Sequence, residues 1–393
     1  MEKVSPKIMN KYGIILGSLI ASMSSPQMMA QDSFHNYGNI KMHESAQIGF
    51  YQDLINDGSF DDNKGLAGFY NEDVAFISGA FRPVFEDLEI VVDNDLVLEV
   101  GIGITNNSNF ISGDLVTPRY LVDTNIEYIT NSFYNGDTDF TKVDGYSAIK
   151  NKKEFLFPIG HFDKLRPLKL ASEQINENAK SAYFYEDPNS PSTFGTSFYT
   201  EDRTDILIAI SNHEFWDLDT KTPSKVTLGW DTESNLPSFL DAIENLRVVG
   251  WHSERNIWED LGNTGLDGDF DQGEITSDVF TPDDYTVISF GGSLSMQSVD
   301  LGNYLLTPNG DGNADFFVLK AVSISPNNKL TIFNRWGRAV YEATNYNNTF
   351  EGTANVNGVY NTAKKLPAGV YFYIIDLKDI GLKHQGFLYI NQK

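Results

Sequence analysis

Leu330-Thr-Ile-Phe-Asn-Arg-Trp-Gly-Arg-Ala-Val-Tyr-Glu-Ala-Thr-Asn-Tyr346, followed by Leu366-Pro-Ala-Gly-Val-Tyr-Phe-Tyr-Ile-Ile-Asp-Leu377, is the stretch that sets the fold class. Leu330, Ile332 and Val340 put apolar side chains on one face of two strands, with Arg335-Trp336-Gly337-Arg338 as a tight reversal between them. Val370 to Leu377 is a β-branched and aromatic run suited to a central strand. A turn around Asp379-Ile-Gly381 leads to a last strand, Gly386-Phe-Leu-Tyr-Ile390. About six or seven strands in some ninety residues predict a small immunoglobulin-like sandwich.

The same pattern extends through the chain. Val74–Ser78, Leu96–Ile104, Asp205–Ile210, Lys225–Trp230 and Arg247–Trp251 read as strands. Asn56-Asp-Gly58, Asn106-Asn-Ser-Asn109, Asn135-Gly136 and Asp187-Pro-Asn-Ser-Pro191 read as turns, because Asn, Asp and Gly tolerate positive φ. Ser238 to Glu244 predicts a helical turn or two, and Ser172 to Ala182 is ambiguous between helix and strand. The prediction is an all-β chain: a β-rich N-terminal body, sandwich or solenoid-like, followed by the C-terminal sandwich.

Residues 1–30 have a different character. Lys3, Lys7 and Lys11 precede the apolar run Tyr12–Ala21, and Met28-Met-Ala30 closes the segment, the form of a secretory signal peptide. No later stretch approaches the length of a membrane-spanning helix, so no transmembrane segment is expected in the mature chain. Boundaries near 170, after Phe157-Pro-Ile-Gly160 and Arg166-Pro-Leu168, and near 300, at Ser293–Ser298, divide the rest into 31–170, 171–298 and 299–393.

The 393 residues hold 54 acidic and 29 basic side chains, a net charge of −25, and no cysteine. Phosphate neutralisation needs a basic face, so a nucleic-acid partner is not expected. Disulfides, thiolate metal sites, cysteine nucleophiles and lipoprotein anchoring are excluded. The 51 aromatic residues point to a packed, folded chain.

LTPNGDGNADFF from Leu306, KLTIFNRWGRAVYEATNY from Lys329, LPAGVYFYIIDL from Leu366 and GFLYINQK from Gly386 together resemble the gliding-motility-associated C-terminal domain. This is the type B sorting domain of type IX secretion substrates in Bacteroidota. The family commonly has Asn before the aspartate of the opening loop, where this chain has Ala314 before Asp315. The resemblance implies Sec-dependent passage into the periplasm, export through the type IX translocon, and retention at the outer face of the outer membrane by a PorP/SprF-type barrel. It places the partner and sorting residues at Asn334, Arg335, Trp336, Gly337 and Arg338, and at Phe387 and Tyr389 of the final strand. Lys364, Lys365, Lys378, Lys383 and Lys393 make this tail less acidic than the body, which suits docking to an export partner. More weakly, Ile40–Phe50, Phe60–Tyr70, Phe157-Pro-Ile-Gly160 with Arg166-Pro-Leu168, and the spacing of Trp216, Trp230, Trp251 and Trp258 resemble the bodies of other surface proteins with this tail.

Two acidic loops are candidate Ca²⁺ sites, since Ca²⁺ favours several oxygen ligands. One is Asn309, Asp311, Asn313 and Asp315; the weaker is Asp267, Asp269 and Asp271. Neither has the spacing of an EF-hand, and each also reads as a side-chain-capped turn, so no cofactor is required. Trp336 between two arginines reads either as a partner contact or as a ring stacked by cations over the domain end. His35, His43, His161, His213, His252 and His384 lack zinc-site spacing, and no Gly-x-Ser-x-Gly elbow or phosphate loop occurs. No catalytic residue is assigned. The expected function is that of a non-enzymatic exported surface protein supporting gliding motility, adhesion or envelope contact. The alternatives are an exported polysaccharide-active enzyme or a carbohydrate-binding surface protein, each of which requires aromatic platforms in a body cleft, with a carboxylate pair for the enzyme.

Overall fold

The computed structural model describes residues 33–293, 302–356, 365–378 and 382–392. The expected signal peptide, the residues 294–298 of the second boundary, Lys364, Lys393 and the turn at 379–381 lie outside them. The chain is all-β, as its sequence predicts, and the body begins as a two-sheeted solenoid.

One sheet of the solenoid stacks β1 (Ser33–Asn36), β3 (Asp53–Asn56), β5 (Ala75–Ser78), β7 (Leu96–Leu98), β9 (Leu115–Val116), β12 (Val143–Asp144) and β14 (Ile159–His161), all parallel. The facing sheet stacks β2 (Ala46–Phe50), β4 (Gly65–Asn71), β6 (Val84–Val92), β8 (Ile102–Ser112), β10 (Ile126–Ile129) and β13 (Ser147–Phe157). Side chains alternate along each strand, so every coil points one set inward, and parallel register stacks equivalent positions into columns. Phe34 pairs with Leu54, and Leu54 with Ile77. Phe50, Phe69 and Ile90 form a second column, the two Phe rings stacked with centroids 4.8 Å apart.

A polar ladder sits at the corner. Asn36 and Asn56 are both buried, and the Asn36 amide nitrogen donates to Asn56 Oδ1 at 2.7 Å. Asn56 donates in turn to the Phe81 carbonyl at 2.8 Å. Gly58 passes so close to Gly38 that a Cβ there would lie 2.0 Å from the Gly38 carbonyl oxygen. The Asn-x-Gly pattern of 36–38 and 56–58 therefore closes the corner between coils.

The solenoid ends where the chain reverses. β15 (Lys164–Leu165) turns back antiparallel on β14, and β16 (Leu168–Phe184) runs antiparallel to β13. Position 170 falls inside this 17-residue strand, and a single core includes both Phe50 and Phe290, so the expected boundary there does not separate two cores. Residues 172–182, ambiguous by propensity, are strand because two partners, β13 and then β18 (Phe215–Asp219), supply their ladder bonds. β19 (Ser224–Asp231), β20 (Leu246–His252) and β24 (Tyr285–Ser293) extend the antiparallel part. The helical turns near 238–244 are two 3₁₀ turns, Leu236–Ser238 and Ile243–Asn245.

All four body tryptophans are buried; Trp251 and Trp258 pack edge to face with centroids 5.8 Å apart. At the reversal, Arg166 reaches the buried Glu214 and also Asp231, and Tyr183 donates to Glu214 Oε2 at 2.7 Å. Burial works against ionisation of Asp231, yet bonds from Arg166 and Lys164 prevail and hold it at about 2.

Beyond residue 302 a separate core forms around Leu306, Phe317, Leu330, Ile332, Val340, Tyr373, Leu388 and Ile390. Its sheet has the order β25 (Tyr304–Leu306), β29 (Leu382–Ile390), β28 (Gly369–Leu377), β26 (Asn328–Phe333) and β27 (Ala339–Thr344). Among the described residues the second layer of the expected sandwich is not a sheet. Phe317, Leu319, a 3₁₀ turn at Lys320–Ser323, Tyr346 and Phe350 cover the inner face instead.

Asn56→Ala leaves the Asn36 amide and the Phe81 carbonyl without their buried partner, so it should cost about 1–3 kcal/mol in urea unfolding. A second expected outcome concerns Asp217, which is buried and accepts a hydrogen bond from the Tyr146 hydroxyl. Burial first, and the neighbouring Asp219 carboxylate second, push its carboxyl well up. An acid raised in the fold gives stability that is whole at acid pH and lost as pH climbs past the ordinary carboxylate value of about 4. Asp217→Asn should therefore melt higher than the parent at pH 8, with the difference closing towards pH 5.

Candidate functional site

Three of the quoted C-terminal motifs, NRWG, LPAG and the final strand, are separate in sequence and meet at one end and one face of the five-stranded sheet. Alternation sends Leu330, Ile332, Tyr373, Leu388 and Ile390 inward and leaves Phe333, Val370, Phe372, Phe387 and Tyr389 on the other face. Register lines them up: Phe333 opposite Phe372, Phe372 opposite Phe387, Val370 opposite Tyr389, and Tyr389 opposite Leu305. The Phe372 and Phe387 rings lie 5.2 Å apart. Phe387, Tyr389, Val370 and Leu305 are each about half exposed, an apolar strip on a chain otherwise rich in carboxylates. Further along the same face the rows turn polar, with Lys383 opposite Asp376 and Asp376 opposite Lys329.

The Asn334–Arg338 turn borders the strip. Asn334 is buried, and its Oδ1 accepts the amides of Trp336 and Arg338, both at 3.0 Å. Its backbone nitrogen donates to the Arg338 carbonyl at 2.9 Å. Gly337 has φ +73°, a left-handed conformation that glycine adopts without a Cβ penalty. The result lifts Trp336 into solvent at 65% exposure, with the Arg335 guanidinium 4.3 Å from its ring centre. One arginine stacks on the ring, as one sequence reading anticipates, but the ring does not fold over the domain end.

Two concavities flank the turn. One of about 670 Å³ is lined by Phe333, Arg335, Phe372, Gln385 and Phe387 among others. The second, about 310 Å³, lies between Asn334–Trp336 and Pro367–Tyr371, bringing the NRWG and LPAG motifs together. All seven predicted sorting residues thus lie on or beside this patch. Sequence reasoning missed Leu305, Val370, Phe372 and Phe333, although strict alternation outward from Tyr371 and Tyr373 is a signal for Val370 and Phe372.

The Asn309–Asp315 loop is laced by its own bonds. Asp315 accepts the amides of Gly310 and Gly312 through separate oxygens at 2.6 and 2.7 Å. Asp311 Oδ1 accepts the Asn313 amide, and Asn309 Oδ1 accepts that of Asp311. Bonds from Asn313 and Asn309 hold the Asp311 carboxyl below its usual range. Asp267 lies within β22 (Gly265–Gly268), and Asp269 and Asp271 lie in the turn to β23 (Gln272–Thr276), where Asp269 Oδ1 accepts the amides of Asp271 and Gln272. In both loops carboxylate oxygens satisfy the turn's own amides, the work of a capped turn. Among the described residues, no three His, Asp or Glu side chains gather in a metal-holding group.

In the body, a groove of about 520 Å³ lies over β13, β16 and β18. Its lining holds Glu177, Asp219 and Asp283 with Lys150, Lys180 and Lys221, and no aromatic ring.

Residues 299–390 match CHU_C, the type IX secretion signal domain. No curated protein and no solved structure matches the chain. The signal domain marks the chain as a type IX secretion substrate, which implies interaction with the secretion system and export to the cell surface or the medium. Among the described residues no helix is long and apolar enough to cross a membrane.

Ala314 holds φ +50° in the opening loop. Asn occupies that conformation more readily than Ala. Ala314→Asn should therefore raise the signal domain's stability by about 0.5–1 kcal/mol, read as a higher urea midpoint at unchanged slope.

Proposed function

We propose that the protein is a non-enzymatic surface protein whose C-terminal domain is read through the apolar strip and the Trp336 turn, first by the translocon and then by a PorP/SprF-type barrel. The carrying observation is the convergence of the NRWG, LPAG and final-strand motifs on one exposed face, with Trp336 held in solvent by a turn whose amides donate to the buried Asn334 side chain. A ring that serves packing lies in the core, as the four body tryptophans do. A ring set out on a pre-formed turn suits recognition, because aromatic and arginine side chains carry much of the energy at protein interfaces. The solenoid body then presents a long, acidic, β-rich surface to the exterior, in support of gliding motility, adhesion or envelope contact.

A fusion of residues 299–393 to a periplasmic reporter, in a type IX-competent host, should bring the reporter to the cell surface. A reporter left in the periplasm sinks the reading. Trp336→Ala should lower surface display severalfold while the purified variant melts within about 0.5 kcal/mol of the parent, the ordinary range for exposed substitutions. Unchanged display with a clearly destabilised domain would instead assign the ring to packing.

A further inference from the structure

The two ends of the solenoid differ. At one end β15 and β16 reverse and lie antiparallel on the last strands. At the other, β1 pairs only with β3 and β2 only with β4 among the described strands, so both sheets end there in an open edge. The interior columns end there too. Leu54, Ile77 and Leu98 are fully buried, whereas Phe34, next in their column, is 42% exposed. Ala67 and Leu88 are buried, and Ile48 above them is half-buried.

We propose that this end is an interface between two copies of the chain, stacked first coil to first coil. Three observations select that occupant. Removal of the predicted signal peptide after Ala30 leaves only Gln31 and Asp32 ahead of β1, too little to cover two strands. A single strand from another protein covers one edge, while β1 and β2 expose two at once, with apolar side chains between. A matching pair of edges at the same spacing is offered by the same end of a second copy. Charge permits the contact: residues 31–298 hold 46 acidic and 17 basic side chains, yet residues 33–50 hold Lys41 against Glu44. The open end is thus a neutral part of a body whose net charge repels its copies. Open edges are commonly guarded by inward-pointing charges, and here Phe34 and Ile48 occupy the inward positions. A two-fold contact of this kind is self-complementary, closes after two copies and hides both pairs of edges.

Sedimentation equilibrium on the mature chain, residues 31–393, over a concentration series at physiological salt tests the proposal. A monomer–dimer equilibrium is expected. Phe34→Lys and, separately, Ile48→Lys should each weaken it by about tenfold or more, since burying an unpaired charge is costly. Circular dichroism and the melting temperature establish that each variant is folded. Amide exchange in the unsubstituted chain gives a readout independent of the variants: protection at 33–36 and 46–50 should rise as the dimer forms. A monomer at every concentration, a dimer unaffected by both folded variants, or exchange at these two strands that does not change with concentration would each overturn the proposal.

Discussion

The body depends on one constraint: a coil of a two-sheeted solenoid cannot bury its own apolar side chains and is completed only by the coils above and below. Phe69 is buried because Phe50 and Ile90 occupy the same inward position in adjacent coils. The backbone obeys the same rule, since the parallel strands of the solenoid take their ladder bonds from the coils on either side. Asn36 and Asn56 add a polar column at the corner, where an unmatched amide would be costly and register is therefore strongly fixed. In a cysteine-free exported chain, these columns do the holding that disulfides perform in many secreted proteins.

Stacking must stop, and the chain stops it by reversing direction. The reversal brings buried charge into the core, with Arg166 between Glu214 and Asp231 and Tyr183 bonded to Glu214. A buried ion pair adds little net stability, because desolvation offsets most of the attraction. Breaking it costs far more, since the surviving charge has no solvent. The network therefore discriminates among ways of closing the solenoid: a shift of β16 by one residue along β13 would separate these groups and turn every inward side chain outward.

Much of the C-terminal domain is legible because its information is local. Alternation in Leu330–Phe333 and Val370–Leu377 fixes which side chains face inward, and Asn334 and Gly337 mark a turn by their own conformational preferences. The inner layer is less legible: Phe317, Tyr346 and Phe350 reach the core from segments without period two, so a second sheet is the natural expectation and loops are the outcome. In the body, the individual strands are readable but their stacking is not. A twenty-residue repeat is present at Asn36-Tyr-Gly38 and Asn56-Asp-Gly58, and in the next coil Gly79 already stands at the Asn position. Inward positions accept any apolar side chain of suitable size, so Phe34, Leu54, Ile77 and Leu98 repeat a volume rather than a letter. β16 is harder still, because residues 172–182 are strand by virtue of two partners that no local pattern announces.

The patch on the signal domain shows how side chains scattered from Leu305 to Tyr389 in the sequence form one surface. A sheet can be recognised at an edge, through backbone bonds, or at a face, through side chains. The edge at β27 is already occupied: Asn355 accepts the Glu342 amide through Oδ1, donates to the Glu342 carbonyl, and donates its own backbone amide to Val340. The outer face is open, and a face joins side chains from strands that are adjacent in register, whatever their distance in sequence. Phe333, Phe372 and Phe387 come from three strands and form a single row. Unfolding disperses that row, so the strip exists only in the folded domain.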